Sequence, residues 1–167
     1  MVEIFDIVDE QDNVIGQASR QEVHKKGLLH RVIDIFVLNS QGELLLQKRS
    51  EKKDTNPGLW TVSAGGHVDS GQTYLEAAHR ELEEELGIKA ELQEIGAFVS
   101  GDPNHSNQMI KMFTCVHDGP FNFNKEEIEE IEFVKIGKLK REIRLFTRKC
   151  TSTFQEGFRK FCEIKGI

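Results

Sequence analysis

The stretch Gly65–Ile88 reads GGHVDSGQTYLEAAHRELEEELGI, and its reading decides both the fold and the place of the chemistry. From Thr73 to Leu86 the pattern is helical: Leu75, Ala78, Leu82 and Leu86 follow the i, i+3, i+4 rule of one apolar stripe. Gly87 follows at the position where helices commonly stop in a left-handed residue. Glu81, Glu83, Glu84 and Glu85 crowd into five consecutive positions. Like charges at helical neighbour spacing repel by a few tenths of a kcal/mol per pair. At about 100° per residue, Glu81, Glu84 and Glu85 share one face beside the apolar stripe, while Glu83 points into solvent. Ala77 lies on the carboxylate side one turn earlier and leaves room there. Arg80 leaves the helix on a different azimuth and does not easily serve all three acids. A divalent cation with oxygen ligands is the natural partner of such a trio. Mg²⁺ takes a few carboxylates, keeps several waters and bridges readily to phosphate oxygens. The competing reading of an acidic run is a plain solvated face. Gly65-Gly66 ahead of the helix points instead to close backbone approach by a ligand or metal, and a helix N-terminus favours an anion.

Working outward, RVIDIFVLN and ELLLQKR are β-branched or aliphatic runs joined by the turn SQG, a hairpin pattern. The polar loop SEKKDTNPG ends in the turn signal Pro57-Gly58. LWTVSA is a short strand leading into Gly65-Gly66. Nearer the start, EIFDIVDEQDNVIG reads as strand, polar turn, strand. Ser19 and Glu22 have capping-box spacing, so ASRQEVHKK holds a short helix ended by Gly27. Downstream, ELQEIGAFVS, MIKMFTCVHD and EIEFVKI read as strands, the last preceded by the acidic turn NKEEIEE. The tail from Thr151 to Ile164 is an amphipathic helix with Phe154, Phe158 and Phe161 on one side. Strands outnumber helices, so the class is α+β, a mixed sheet flanked by helices. No repeat or linker divides the 167 residues, which read as one domain. Residues 1–30 form an N-terminal extension of short strands and a helix, and 137–167 a C-terminal helical segment.

Composition bounds the function. The chain is 38% hydrophobic and 30% charged, ordinary for a soluble globular protein. No apolar run suggests a membrane span. The acidic N-terminus lacks the basic region of a secretory signal. Cys115, Cys150 and Cys162 show no metal or disulfide spacing and fit a reducing cytoplasm. The net charge of −6 argues against a nucleic-acid binder, although a metal or local basic patch still admits an anionic substrate. Arg49, Lys52 and Lys53 could supply such a patch, next to the glycine pair.

Taken whole, Gly66 to Ile88 resembles the signature of the Nudix hydrolase superfamily. Gly66, Arg80, Glu81, Leu82, Glu84, Glu85, Gly87 and Ile88 all fall in register with it. The likeness extends from about His30 to Lys135. It implies an α/β/α sandwich around a mixed sheet. It also implies hydrolysis of a diphosphate bond in a nucleoside diphosphate linked to another moiety, or in a nucleoside di- or triphosphate, with Mg²⁺ or Mn²⁺. By resemblance, Glu81, Glu84, Glu85 and the Gly66 carbonyl hold the metal. Arg80, Glu84, Glu85 and Glu127 form the catalytic set, with Glu85 or an acid of the 126–127 turn as general base. Arg49, Gly65 and Gly66 meet the substrate. The partner is a small diphosphate, with neither nucleic acid nor membrane, and the resemblance also allows a homodimer.

One motif position departs: Gln72 stands where the family has Glu. Gln keeps hydrogen-bonding capacity but not the charge that would favour a helix start or pair with Arg80. Asp69 and Glu76 are nearby acids able to compensate. The upstream segments look very like one branch of the superfamily, type I isopentenyl diphosphate isomerase, and His24, His30 and His67 are placed much as its metal-binding histidines. That enzyme needs a Cys where this chain has Gly65, and acids in the strand where this chain has Ser106 and Gln108. Isomerase chemistry is therefore disfavoured. His24 and His30 either bind a second metal or are ordinary polar residues at a helix end and a strand start. A third reading is a Nudix-like module that binds a ligand without turning it over.

Overall fold

The computed structural model describes residues 2–101 and 107–167. Nine strands and four helices occur among them, in the order β1 Ile4–Val8, β2 Val14–Ser19, α1 Arg20–Lys26, β3 His30–Leu38, β4 Leu44–Arg49, β5 Trp60–Thr61, β6 Ala64–His67, α2 Tyr74–Leu86, β7 Gln93–Ser100, β8 Gln108–Val116, β9 Ile128–Val134, α3 Ile136–Arg144 and α4 Ser152–Lys165. The expected mixed sheet is present, and β3 is its hub. β8 runs parallel to β3 from His30↔Gln108 to Leu38↔Val116. β6 pairs with β3 antiparallel, placing Gly66 opposite Ile33 and Gly65 opposite Asp34. β4 turns back from β3 and carries β9 and β5 antiparallel.

Alternation along β3 builds the two faces. Ile33, Ile35 and Val37 join Ala77, Ala78, Leu82 and Leu86 of α2 in one core cluster. Val32 and Phe36 join Phe154, Phe158 and Phe161 of α4 in another. The helices therefore cover opposite faces, as the resemblance implied. A smaller cluster of Phe5, Ile7, Ala18 and Val23 ties α1 to the first hairpin. Among the described residues no helix is long and apolar enough to cross a membrane.

Three local expectations change. Leu75 is 46% exposed, and Tyr74 and Ala77 are buried instead. The buried face of α2 is centred near Ala78 and Glu85, so Leu75 lies at its margin in the first turn. The 137–167 segment is two helices, with a break after Arg144 where Phe146 takes a left-handed φ of 55°. Ser19 caps α1 by accepting from the Glu22 amide at 3.3 Å, but the Glu22 side chain pairs with Lys26 and does not close the box. A complete capping box forms at α2, between Thr73 and Glu76.

Candidate active site

The crowded carboxylates are not equivalent once α2 is packed. Glu85 falls within the buried face and is 7% exposed. Its Oε2 accepts from Gln47 Nε2 at 2.7 Å and from the Gly65 amide at 3.1 Å. Glu81, the next acid on the face, lies against Gly66 so closely that a methyl group at position 66 would overlap its carboxylate. Gly66 is thus a packing requirement as well as a backbone ligand candidate. Gly65 has its own constraint, since a Cβ there would sit 2.8 Å from the Ile33 carbonyl of the neighbouring strand. Glu84 is the outermost of the three, with a half-exposed side chain.

Arg80 reaches further than its azimuth suggested. Its guanidinium donates to Glu81 Oε1 at 2.7 Å, Glu84 Oε2 at 3.3 Å and the His67 carbonyl at 2.9 Å. It serves two of the three acids and leaves Glu85 to Gln47 and Gly65. Gln72 explains its own place: its Oε1 accepts from Arg80 at 3.4 Å and from the Asp69 amide at 3.3 Å. A neutral oxygen thereby takes the acceptor position. Asp69 restores charge on that side, with Oδ2 3.7 Å from Arg80. Glu76 does not compensate, because the Thr73 cap occupies it.

Glu81, Glu84, Glu85, Arg80, Asp69 and the glycine pair line one cavity of about 380 Å³, together with Arg49, Lys53 and Glu127. Arg49 is anchored by donating to the Thr55 carbonyl at 3.0 Å. Lys53 donates to Glu127 at 2.9 Å. Glu126 pairs with Lys52 at 2.8 Å at the exposed rim, so of the two acids in that turn Glu127 is the one in the cavity. Ser106 lies outside the described residues. Gln108 lines the cavity, as does Asp34, which lies against Gly65.

Burial sets the electrostatics. It pushes Glu85 up to about 8, reinforced by Glu81, and Glu81 up to about 7, against the pull of Arg80. The Glu127 charge raises both further. Groups crowded in this way hold protons until a cation replaces them, which is the donor chemistry expected of a hard-cation site. The sign of the pH dependence follows. In the unfolded chain both acids titrate near 4.5. Between there and pH about 8 the folded state binds more protons than the unfolded one, so stability without a cation falls as pH rises. The thermal midpoint in EDTA is expected to drop from pH about 5.5 to 8.5, and Mg²⁺ should restore most of the loss at the upper end. A midpoint in EDTA that rises over this range would contradict the assignment.

The three histidines also converge. His24, His30 and His67 place candidate ligand nitrogens within 4.8 Å of one another. The His30 and His67 rings stack at 5.1 Å. His30 Nδ1 lies 3.0 Å from the Leu28 carbonyl, which makes Nδ1 the donor and leaves Nε2 as a lone pair. Nε2 of both His30 and His67 is buried without a hydrogen-bond partner. Burial depresses both imidazoles, His67 to about 3. Neutral imidazoles with free lone pairs fit a nitrogen-preferring cation such as Zn²⁺ better than Mg²⁺.

Gln47 and Asp34 had no sequence signal. Each sits in an apolar strand and acquires its role only from what packs opposite.

Comparison with known proteins places this geometry. The family model described as NUDIX domain matches residues 28–154. A Nudix hydrolase of Yersinia pestis is 45% identical over 132 residues, 78% of this chain and 72% of that protein. Isopentenyl-diphosphate Delta-isomerase 2 of Photorhabdus laumondii is 38% identical over 144 residues, 84% of this chain and 81% of that protein. A solved structure from Deinococcus radiodurans superposes with a TM-score of 0.82 at 28% identity, covering 95% of this chain and 98% of the other.

Proposed function

Because the chain belongs to the NUDIX domain family, as a Nudix pyrophosphohydrolase, we propose that it cleaves a diphosphate bond by attack of water on phosphorus, with Mg²⁺ or Mn²⁺ bound. The substrate class is a nucleoside diphosphate linked to another moiety, or a nucleoside di- or triphosphate. The observation that carries this reading is the meeting of Glu81, Glu84 and Glu85 with Arg49 and Lys53 in one cavity.

Glu81, Glu84 and Glu85 would hold the cation, with the Gly66 carbonyl beside them. The chemistry such an ion supplies is neutralisation of diphosphate charge and acidification of the attacking water. Arg49 and Lys53 present positive charge to the phosphates, and Lys53 must exchange Glu127 for phosphate to do so. Two carboxylates are available to take the water's proton. Glu85 has Oε2 fixed by Gln47 and Gly65, and Glu127 faces the same cavity from the loop before β9. Arg80 positions Glu81 and Glu84 and does not itself need to touch the substrate.

The histidine cluster favours a second reading, an isomerase-like chemistry on isopentenyl diphosphate. Against it, Gly65 offers no side chain and Gln108 no titratable proton for protonating an allylic carbon. A panel of nucleotides, sugar nucleotides and isopentenyl diphosphate, assayed for phosphate release and by proton NMR, separates the readings. Phosphate release from at least one nucleotide is expected with Mg²⁺ or Mn²⁺ and is lost in EDTA. Isomer formation would favour the second reading. Cation binding with no turnover of any diphosphate would leave only a binding module.

A further inference from the structure

The cavity does not end at the carboxylates. β6 carries no side chains at Gly65 and Gly66, and beyond them the cavity is lined by Val32, Val62, Ile110, Asp34, Gln108 and Thr153. Asp34 is anomalous there. It occupies the α4-facing side of β3 between Val32 and Phe36, both buried and apolar, and is itself only 8% exposed. Two glycines confine it: a Cβ at Gly65 would sit 3.1 Å from Oδ1, and one at Gly157 of α4 would sit 3.4 Å from Oδ2. Among the described residues, no hydrogen bond or ion pair reaches its carboxyl group. Buried carboxyls that serve the fold alone are normally satisfied within it. An unsatisfied one in the wall of a ligand cavity is complementary to something that enters the cavity.

The surroundings define that partner. Val32, Val62 and Ile110 are the aliphatic residues of this lining, an apolar setting that a nucleobase face tolerates, and the carboxyl needs N–H donors. An amino group beside a ring nitrogen meets it well, because a carboxyl oxygen accepts the amino N–H whatever its own protonation. Uracil meets it poorly, since its one N–H on that edge lies between two carbonyl oxygens. We propose that Asp34 is a specificity-determining residue that recognises the amino-bearing edge of a nucleobase, cytosine, adenine or guanine, on the α4-facing side of the cavity beside Gly65. This rests on the pyrophosphohydrolase reading for the placement of the diphosphate end.

The test is calorimetric binding of the α,β-methylene diphosphates of cytidine, adenosine, guanosine and uridine, in Mg²⁺, to the wild-type protein, Asp34→Leu and Asp34→Asn. These analogues resist hydrolysis at that bond, so the result does not depend on turnover. Wild type is expected to bind at least one of the cytidine, adenosine and guanosine compounds about tenfold or more tightly than the uridine compound, the size of effect that one buried hydrogen-bonded edge supplies. Asp34→Leu should bring that ratio to within about threefold, leave uridine binding unchanged and raise the thermal midpoint. Asp34→Asn keeps one acceptor and should fall between. An unchanged ratio in Asp34→Leu, or no base preference in wild type, would overturn the proposal. Base preference without turnover of the hydrolysable nucleotides would sink the hydrolase reading and leave this one standing.

Discussion

Glu85→Gln is expected to lower cation-dependent phosphate release by about 10³-fold or more while leaving the fold intact. The magnitude combines loss of a cation ligand with loss of a candidate proton acceptor, the latter alone accounting for about 10²–10⁴. Retention of the fold follows from shape and solvation. Gln is nearly isosteric with Glu and still offers an oxygen to the Gly65 amide, now 3.1 Å from Oε2. It also removes a carboxyl whose charged form is disfavoured by burial, with its pKa pushed up to about 8. Thermal stability in EDTA at pH about 8 should therefore match or exceed that of the wild type. Glu127→Gln is the informative comparison. If Glu127 takes the proton, its loss should approach that of Glu85→Gln. If Glu85 does, the Glu127 variant should fall only about tenfold, since Lys53 already offsets that charge. Phosphate release and circular dichroism measured on the same samples decide the matter. A Glu85→Gln enzyme within tenfold of wild type would remove Glu85 from both roles.

Arg80→Ala is the second large effect, and it has a different character. One guanidinium ties Glu81, Glu84, Gln72 and the His67 carbonyl together. Its removal leaves the partly buried Glu81 without its cation and the His67 carbonyl of β6 without its hydrogen bond to α2. A stability loss of about 2–4 kcal/mol is expected, as for other partly buried groups stripped of a charged partner. Activity should fall about 10²-fold, chiefly through a higher cation requirement, if, as proposed, Arg80 positions the cation's ligands rather than the substrate. Arg80→Lys should recover little, as a single ammonium cannot span acceptors arranged around a planar fork. Titration of activity against Mn²⁺ distinguishes the cases. A fall in maximal rate with unchanged cation dependence would show that Arg80 acts on the substrate directly.

The two variants also mark where sequence reasoning stopped. The wheel grouped Glu81, Glu84 and Glu85 and set Glu83 aside, and all three lie in one cavity. It could not rank them, because burial of Glu85 depends on where the sheet lies under α2. It kept Arg80 from serving all three acids, and Arg80 does leave Glu85 to Gln47 and Gly65, but a helical azimuth locates the Cβ and not the end of a long, flexible side chain, so which two acids it reaches was not legible. Gln72 read as a lost charge with its hydrogen-bonding capacity kept, and the fold supplies the partner: Gln72 accepts from Arg80, and the turn before α2 brings Asp69 within 3.7 Å of the same guanidinium.

The sequence by itself determined what depends on near neighbours. Helix α2 and its stop at Gly87, the hairpin strands of β3 and β4, the Phe154–Phe161 face of α4 and the trio of acids all follow from spacing within a few turns or a few strand residues. Tertiary structure alone decided what depends on distant segments. Gln47 meets Glu85 across 38 positions, and Lys53 meets Glu127 across 74. His24, His30 and His67 come from a helix end, a strand start and a strand end, and only the β3–β6 register with α1 packed beside it brings their nitrogens together. Asp34 looks like one polar residue in an apolar run until Gly157 of α4 and Gly65 of β6 close around it. Local periodicity records which face of an element is buried. It carries no record of what stands opposite that face, because that is set by segments distant in the chain.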